Sequence, residues 1–429
     1  MTVRRRRLTL FLVTALAVAA AAGCTSGDDS APAASDQELR IGLLAPLKGP
    51  NAGAGVEAQR GAQLAADVIN GINSSIPLPL AAEDGLPNLG GARVKIVSAD
   101  TSGTDPQLIA GTAVTRLVSQ EGADALIGAY DPEITELASQ RSERFEIPFL
   151  NADSPATFLT EAGRDWFFRL GPSWRSAGES FFSLLRQKGV SPGKIVVLHA
   201  ADKAGQDVLT SVRELAEQGG YDSPTDFAFA PDAQDLLGVV DQVRAEKPDT
   251  IFLYATSATV EPMIRAFGAR QYRTKAVMSF GLGYLTEQRY QASAPVVTGL
   301  TRSVSWAKEA AERNQAARAV AGLYQRRYNT GMTEAAASAF TAVLTAAQAV
   351  DAAGSTQPQR VRSELLSLNV PGDQTVMPWA GIQFDETHQN VLAQSLVEQF
   401  INRSFKIVYP DDASSEKLVW PADRPVSAP

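Results

Sequence analysis

The sequence predicts an α/β protein made of two doubly wound parallel-sheet lobes. Three observations carry that expectation. Short β-branched or apolar runs alternate with longer segments of helical period, the pattern of parallel strands covered by helices. The rhythm breaks near Pro172 and then starts again. The chain has 429 residues, more than one hydrophobic core usually supports, so two domains are expected.

The first unit opens with a strand at Leu39–Leu44, a loop at Pro46–Gly55 and a helix running to Ile69. That helix places Ala58, Ala62, Ala65 and Ile69 on one face. A strand at Val94–Ala99 follows, then a helix behind Pro106 with Ala110, Val114, Leu117 and Val118 on its apolar side. Strands at Ala125–Gly128 and Phe149–Leu150 complete this lobe. The second unit repeats the pattern: a strand at Lys194–Leu198, a helix at Gln206–Gln218, and a strand near Thr225–Ala230. A helix carrying Leu236, Val239, Val240 and Val243 comes next, then the strand Thr250–Tyr254, a helix to Ala269 and the strand Ala276–Ser279. Two long helical patterns, Lys308–Tyr328 and Thr333–Ala353, have no strand between them and do not extend the second lobe as β-α units. Leu396–Ile401 and Phe405–Val408 read as a hairpin turning at Asn402–Ser404. Residues 413–429 are polar and proline-rich and are expected to be a flexible tail. Ser74–Gly91 is a Pro, Gly, Leu and Asn-rich insertion, read as a surface elaboration with partner docking as the alternative.

Residues 1–23 have the features of an export signal. Arg4 to Arg7 form a positive region, and the apolar run Leu8–Ala22 is short for a membrane span. Cys24 comes next, the only cysteine in the chain. Ala21-Ala22-Gly23-Cys24 resembles a bacterial lipobox, which implies cleavage before Cys24 and acylation of its thiol. Export by the general route and by the twin-arginine route both fit the arginine run. Residues 24–37 then serve as a lipidated tether. Cleavage removes four arginines and no acids, taking the formal net charge from −8 to −12. So acidic a chain argues against nucleic-acid binding. One cysteine excludes an internal disulfide and a thiolate metal site.

The order of motifs resembles the branched-chain amino-acid (Leu/Ile/Val-binding-protein-like) solute-binding proteins of ABC transporters, which have the class I periplasmic binding protein fold. The matching pieces are Pro46-Leu47-Lys48-Gly49-Pro50, Ala66-Asp67-Val68-Ile69-Asn70, Ser98-Ala99-Asp100 and Ala125-Leu126-Ile127-Gly128. Ile147-Pro148-Phe149-Leu150-Asn151, Trp166-Phe167-Phe168-Arg169 and Trp379-Ala380-Gly381-Ile382-Gln383-Phe384-Asp385 continue the series, within roughly Leu39 to Pro410. The resemblance implies a three-strand hinge with crossings near Arg169–Pro172, Gly299–Ser303 and Thr375–Pro378. Lobe one is then 38–170 plus 302–374, and lobe two is 171–301 plus 375–412.

In open α/β sheets ligands sit beyond the carboxyl ends of the strands, where helix N-termini present free N–H groups. The ligand-binding candidates on those loops are Asn51, Tyr130, Asp131, Glu133, Asn151, Asp153 and Ser154 in lobe one, and Asp202, Thr256, Phe280 and Tyr284 in lobe two. Asp131 and Glu133 read equally well as helix-capping acids, and Asp153 and Ser154 as turn residues. Phe280 and Tyr284 sit on a loop with Gly281 and Gly283, where stacking on a ligand is one of the readings open to them. Where the family grips a carboxylate with neutral residues, this chain has acids; where the family has an acid for the ammonium, it has Phe280. The resemblance therefore implies a small polar solute (an amino acid, an amide or a related compound), with a neutral or cationic one favoured by the acids.

Only His199 and His388 are present, and no nucleophile elbow, phosphate loop or metal motif appears, so no enzyme, metal or cofactor is expected. The expected partners are the solute, the permease subunits of an ABC importer and the lipid anchor, with the protein a monomer outside the cytoplasmic membrane. The alternative keeps the fold and makes the chain a ligand-sensing or envelope-accessory lipoprotein.

Overall fold

The computed structural model describes residues 38–281, 293 and 298–422. Cys24, the signal and tether segments, Tyr284 and residues 423–429 lie outside the described residues. The first sheet has five strands, all parallel, in the order β2-β1-β3-β4-β5. They are β1 (Glu38–Ala45), β2 (Arg93–Asp100), β3 (Ala125–Gly128), β4 (Phe149–Asn151) and β5 (Phe167–Arg169). Side chains alternate across the pleat. Leu39, Ile41 and Leu43 of β1 enter one core, while Leu44 enters the other.

Helices cover both faces. On one side lie α1 (Ala52–Ile69) and a long helix, α11 (Glu334–Ala353). Gly61 lets these two approach closely: a Cβ there would sit 2.0 Å from the Ala336 carbonyl oxygen. Among the described residues α11 is the one helix long and apolar enough to cross a membrane, but 83% of its apolar window is buried in this core. On the other side lie α2 (Pro106–Ser119) and α3 (Pro132–Phe145). The insertion at 74–91 is folded onto lobe one. Ile76, Leu78, Ala81, Leu86 and Leu89 are buried there, and Asn88 bonds both carboxylate oxygens of Asp351.

The second sheet has seven strands in the order β14-β13-β10-β9-β8-β6-β7. Its parallel part is β6 (Ile195–Ala200), β7 (Thr225–Phe229), β8 (Thr250–Tyr254), β9 (Ala276–Phe280) and β10 (Thr301–Val304). The hairpin β13 (Leu396–Ile401) and β14 (Ser404–Tyr409) adds two antiparallel strands, so this sheet is mixed. Asn402 and Arg403 turn the hairpin with φ of 50° and 66°, the left-handed pair that matches strand twist. Among the described residues, four helices belong to this lobe: α5 (Trp174–Gln187), α6 (Lys203–Gln218), α7 (Leu237–Glu246) and α8 (Val260–Ala269). A single turn, α4 (Phe158–Glu161), precedes β5. The first of the two long late helical patterns is interrupted. It comprises a short α9 (Lys308–Ala311) and then α10 (Gln315–Tyr328), whose N-terminus is capped by the Asn314 side chain on Ala317 N–H. After α11 comes α12 (Pro358–Ser367), and then a two-stranded ribbon of β11 (Asn369–Pro371) and β12 (Gly381–Gln383).

Lobe boundaries differ from the expectation in three places. Thr301–Val304 pairs with both β9 and β13, so the chain leaves the second sheet near Ser305 rather than at 302. Residues 375–384 stay with lobe one, because Val376, Met377, Trp379, Ile382 and Phe384 bury their apolar surface in its core. The return to lobe two comes just before Leu396 instead of at Thr375–Pro378. Residues 413–422 are held on the body: Ser415 N–H bonds Ile407 O, Val419 N–H bonds the Gln399 side chain, and Ala422 N–H bonds Lys275 O. At the hinge the first and third crossings lie side by side. Arg169 N–H donates to His388 O and Asn390 N–H donates to Arg169 O, while His388 stacks on Phe168 at 4.5 Å.

Candidate functional site

Loops at the carboxyl ends of the two sheets supply the site. After β1, Asp100 holds the turn by accepting the N–H groups of Leu47 (2.9 Å) and Ser102 (2.9 Å), with Lys48 3.1 Å away. Burial opposes its ionisation, but these bonds win and keep it well below the ordinary carboxylate range. Asn51 precedes α1 without a side-chain cap bond.

After β3, Asp131 caps α3, accepting N–H from Glu133 (3.0 Å) and Ile134 (3.2 Å). Asp202 caps α6 in lobe two in the same way, accepting from Gly205 N–H at 2.7 Å. The capping reading of Asp131 is therefore what the geometry contains, and it brings two carboxylates into one field. The surrounding protein raises the Asp131 carboxyl, its two N–H bonds oppose the rise, and Asp202 adds to it. Glu133 is raised by burial and then by Asp131, Asp202 and Glu136. Tyr130, beside them, is half-buried.

After β4, Asn151 is fully buried. Its amide donates to Gly128 O (2.7 Å) and Ala129 O (2.9 Å), and its oxygen accepts Ser154 N–H (3.1 Å). Its side chain is committed to the backbone of the loops after β3 and β4. The loop above carries Asp153, partly open to solvent, and Ser154, whose buried hydroxyl has no hydrogen-bond partner. Asp153 is pushed up to about 7, first by burial and then by the charge of Glu334, with Ser338 opposing.

In lobe two, Thr256 is occupied: its hydroxyl bonds Pro231 O at 2.6 Å and lies 2.9 Å from the Thr259 hydroxyl. Phe280 corrects the sequence expectation. It is 0% exposed and packs edge-on to Phe181 at 5.4 Å, inside the core of lobe two. The pleat of β9 turns it toward α5 and away from the cleft.

Several residues at the junction of the lobes were missed from sequence. Thr157 N–H donates to Asp207 of α6 at 2.6 Å, Lys203 pairs with Glu136 at 2.6 Å, and its ammonium lies 4.0 Å from the Phe158 ring centre. Burial pushes Asp207 up to about 6, opposed by Thr157 and Arg169. Asp207 and Lys203 stand in the first two turns of α6, immediately behind the Asp202 cap; the helix start was the available signal. Glu334 had none, because nothing local links it to β4. Two cavities lie elsewhere. One is a groove of about 870 Å³ lined by Pro77, Arg313, Met377 and Trp379, and the other a space of about 40 Å³ beside Phe267 and Tyr272. Neither touches the loop residues above.

Comparisons with known proteins agree with this architecture. The family model "Periplasmic binding protein" matches residues 38–400. The Leu/Ile/Val-binding protein homolog 8 of Brucella abortus is 22% identical over 408 residues, covering 89% of this chain and 93% of that protein. A putative branched-chain amino acid ABC transporter protein of Silicibacter pomeroyi has a similar structure, with TM-score 0.74 and 19% identity, covering 90% of this chain and all of that one. The solute-binding protein of R. palustris in complex with benzoate gives 0.70 at 17% identity, covering 89% and 100%. The family match spans most of the sequence and both sheets, and the chain belongs to the periplasmic binding protein family, whose members are solute-binding proteins rather than enzymes.

Proposed function

We propose that the protein is the solute receptor of an ABC importer, held outside the cytoplasmic membrane by lipid on Cys24. In this reading it closes its two lobes over a small polar solute and delivers it, as a monomer, to permease subunits. The observation that carries the reading is the contact between segments that follow strand ends of both sheets, where Asp207 and Lys203 at the start of α6 in lobe two bond the Thr157 N–H and the Glu136 side chain of lobe one. Such contacts belong to a hinged pair of lobes that exclude water from the space between them and strengthen every polar contact there. The relatives add a ligand range: one solved structure holds isoleucine and another benzoate, so an amino acid or a related compound is the natural class to test here.

A thermal-shift panel of amino acids, amides, amines, carboxylates and sugars tests the capture function. A solute at 1,000 times its Kd stabilises the folded state by about 4 kcal/mol. A panel with no hit in any class refutes it. The anchor is tested separately by fractionating cells expressing Cys24→Ala. The variant is expected in the soluble fraction with solute binding intact, and its recovery with membranes would overturn the lipid attachment.

A further inference from the structure

We propose that the first two turns of α6 form a latch onto lobe one that holds the lobes closed in the solute-free protein, making Lys203 and Asp207 determinants of solute affinity. The receptor reading gives the lobes a solute to close on. The latch goes beyond it and assigns part of the closing force to the protein itself.

Lys203 and Asp207 stand four residues apart on one face of α6. The Lys203 ammonium donates to Glu136 of α3 at 2.6 Å and lies 4.0 Å from the Phe158 ring centre. One turn further on, the Asp207 carboxylate accepts the Thr157 N–H at 2.6 Å. Each bond joins two protein groups, and neither needs a solute to complete it. Lys203 is also poorly placed for its own helix. It is the first residue after the Asp202 cap, where the helix dipole disfavours a cation. Glu136, on the other lobe, supplies the charge that offsets this.

Both halves of the latch are held firmly by their own lobes. Gly205 lets α6 start hard against β6: a Cβ there would sit 1.9 Å from the Ala200 oxygen. In lobe one, Arg164 lies 3.6 Å from Glu136 and donates to Leu159 O at 3.3 Å. Arg169, 2% exposed at the first crossing, grips the loop on either side of Thr157. Its guanidinium donates to Ala156 O, to the Thr160 hydroxyl (2.9 Å) and to the Gln389 side chain beside the third crossing. The receiving loop and two crossings are thus bonded together, so rotation of lobe two about the hinge must break the Lys203 and Asp207 bonds. A receptor whose closed state is only fractionally populated binds more weakly by that fraction. By keeping the fraction high, the latch raises affinity.

The test is small-angle X-ray scattering and amide hydrogen exchange on the protein stripped of solute by dialysis. Wild type is expected to be compact, with slow exchange at the Thr157 amide. The double variant Lys203→Ala/Asp207→Ala should show a larger radius of gyration and exchange Thr157 about tenfold faster or more. Asp207→Asn keeps an acceptor for that N–H and should retain the slow exchange. With the best solute from the thermal-shift panel, the double variant should bind about tenfold more weakly. An unchanged radius and unchanged Thr157 exchange in the double variant overturn the latch, whether or not a solute is found. An opened variant with undiminished affinity overturns its role in binding. A panel without a hit overturns the receptor reading and leaves the scattering and exchange results to decide the latch.

Discussion

Phe280→Ala separates a core residue from a ligand contact. The side chain is 0% exposed, lies edge-on to Phe181 at 5.4 Å and sits 6.2 Å from Phe252. Removing a phenyl ring from such a place loses its transfer free energy and leaves a cavity, about 3–5 kcal/mol together. For a lobe of this size each kcal/mol shifts Tm by roughly 2–4 °C, so lobe two should melt about 6–20 °C lower. Scanning calorimetry reads that shift. Solute affinity, measured well below the lowered transition, should change by less than about threefold, because the ring has no access to the cleft. A Tm drop under about 3 °C together with a clear loss of affinity would refute the placement, since only a solvent-facing ring behaves that way.

Three further outcomes follow from the geometry. Asn151→Ala leaves Gly128 O, Ala129 O and Ser154 N–H without their side-chain partner; at about 1–3 kcal/mol for each buried group, both thermal stability and solute affinity should fall, and rapid hydrogen exchange at Ser154 should accompany the loss. Gly61→Val places a Cβ 2.0 Å from the Ala336 oxygen and forces α1 from α11; lobe one should lose more than about 10 °C in Tm or fail to accumulate as soluble protein, and a neutral result would disprove the close helix contact. The empty protein should become less stable as pH rises through 4 to 7. Asp153 (about 7) and Asp207 (about 6) hold protons in the folded state that the unfolded chain, titrating near 3.8, has already released. Asp100 acts oppositely: its lowered value contributes stability above the unfolded value, and this is lost only as the solution is acidified below it. A melting series from pH 5 to 8 checks this, and Asp153→Asn should flatten its upper half.

What the sequence determined by itself is what short-range physics encodes. Period-two and period-3.6 patterns state which side chains of β1, β6, α1 and α6 must leave water, and the core contains Ala62, Ala65, Ile69, Val208 and Val212 as that rule requires. Caps are equally local: Asp131 and Asp202 stand two and three residues from the N–H groups they bind. Even the hairpin turn is nearly correct from sequence, because Asn402 is among the residues that tolerate a positive φ. The tertiary structure decided whatever depends on a partner distant in the chain. Thr301–Val304 looks like a linker until β9 and β13 flank it, and residues 375–384 look like a crossing until lobe one buries their apolar groups. Phe280 beside a glycine loop looks like a ligand platform, yet the pleat turns it inward. Asp153 and Glu334 are separated by 181 positions, and no local pattern relates them. Burial and capping are properties of a residue and its near neighbours. Which carboxylates act on each other is a property of the packing of α11 against lobe one, and there the sequence, read alone, is silent.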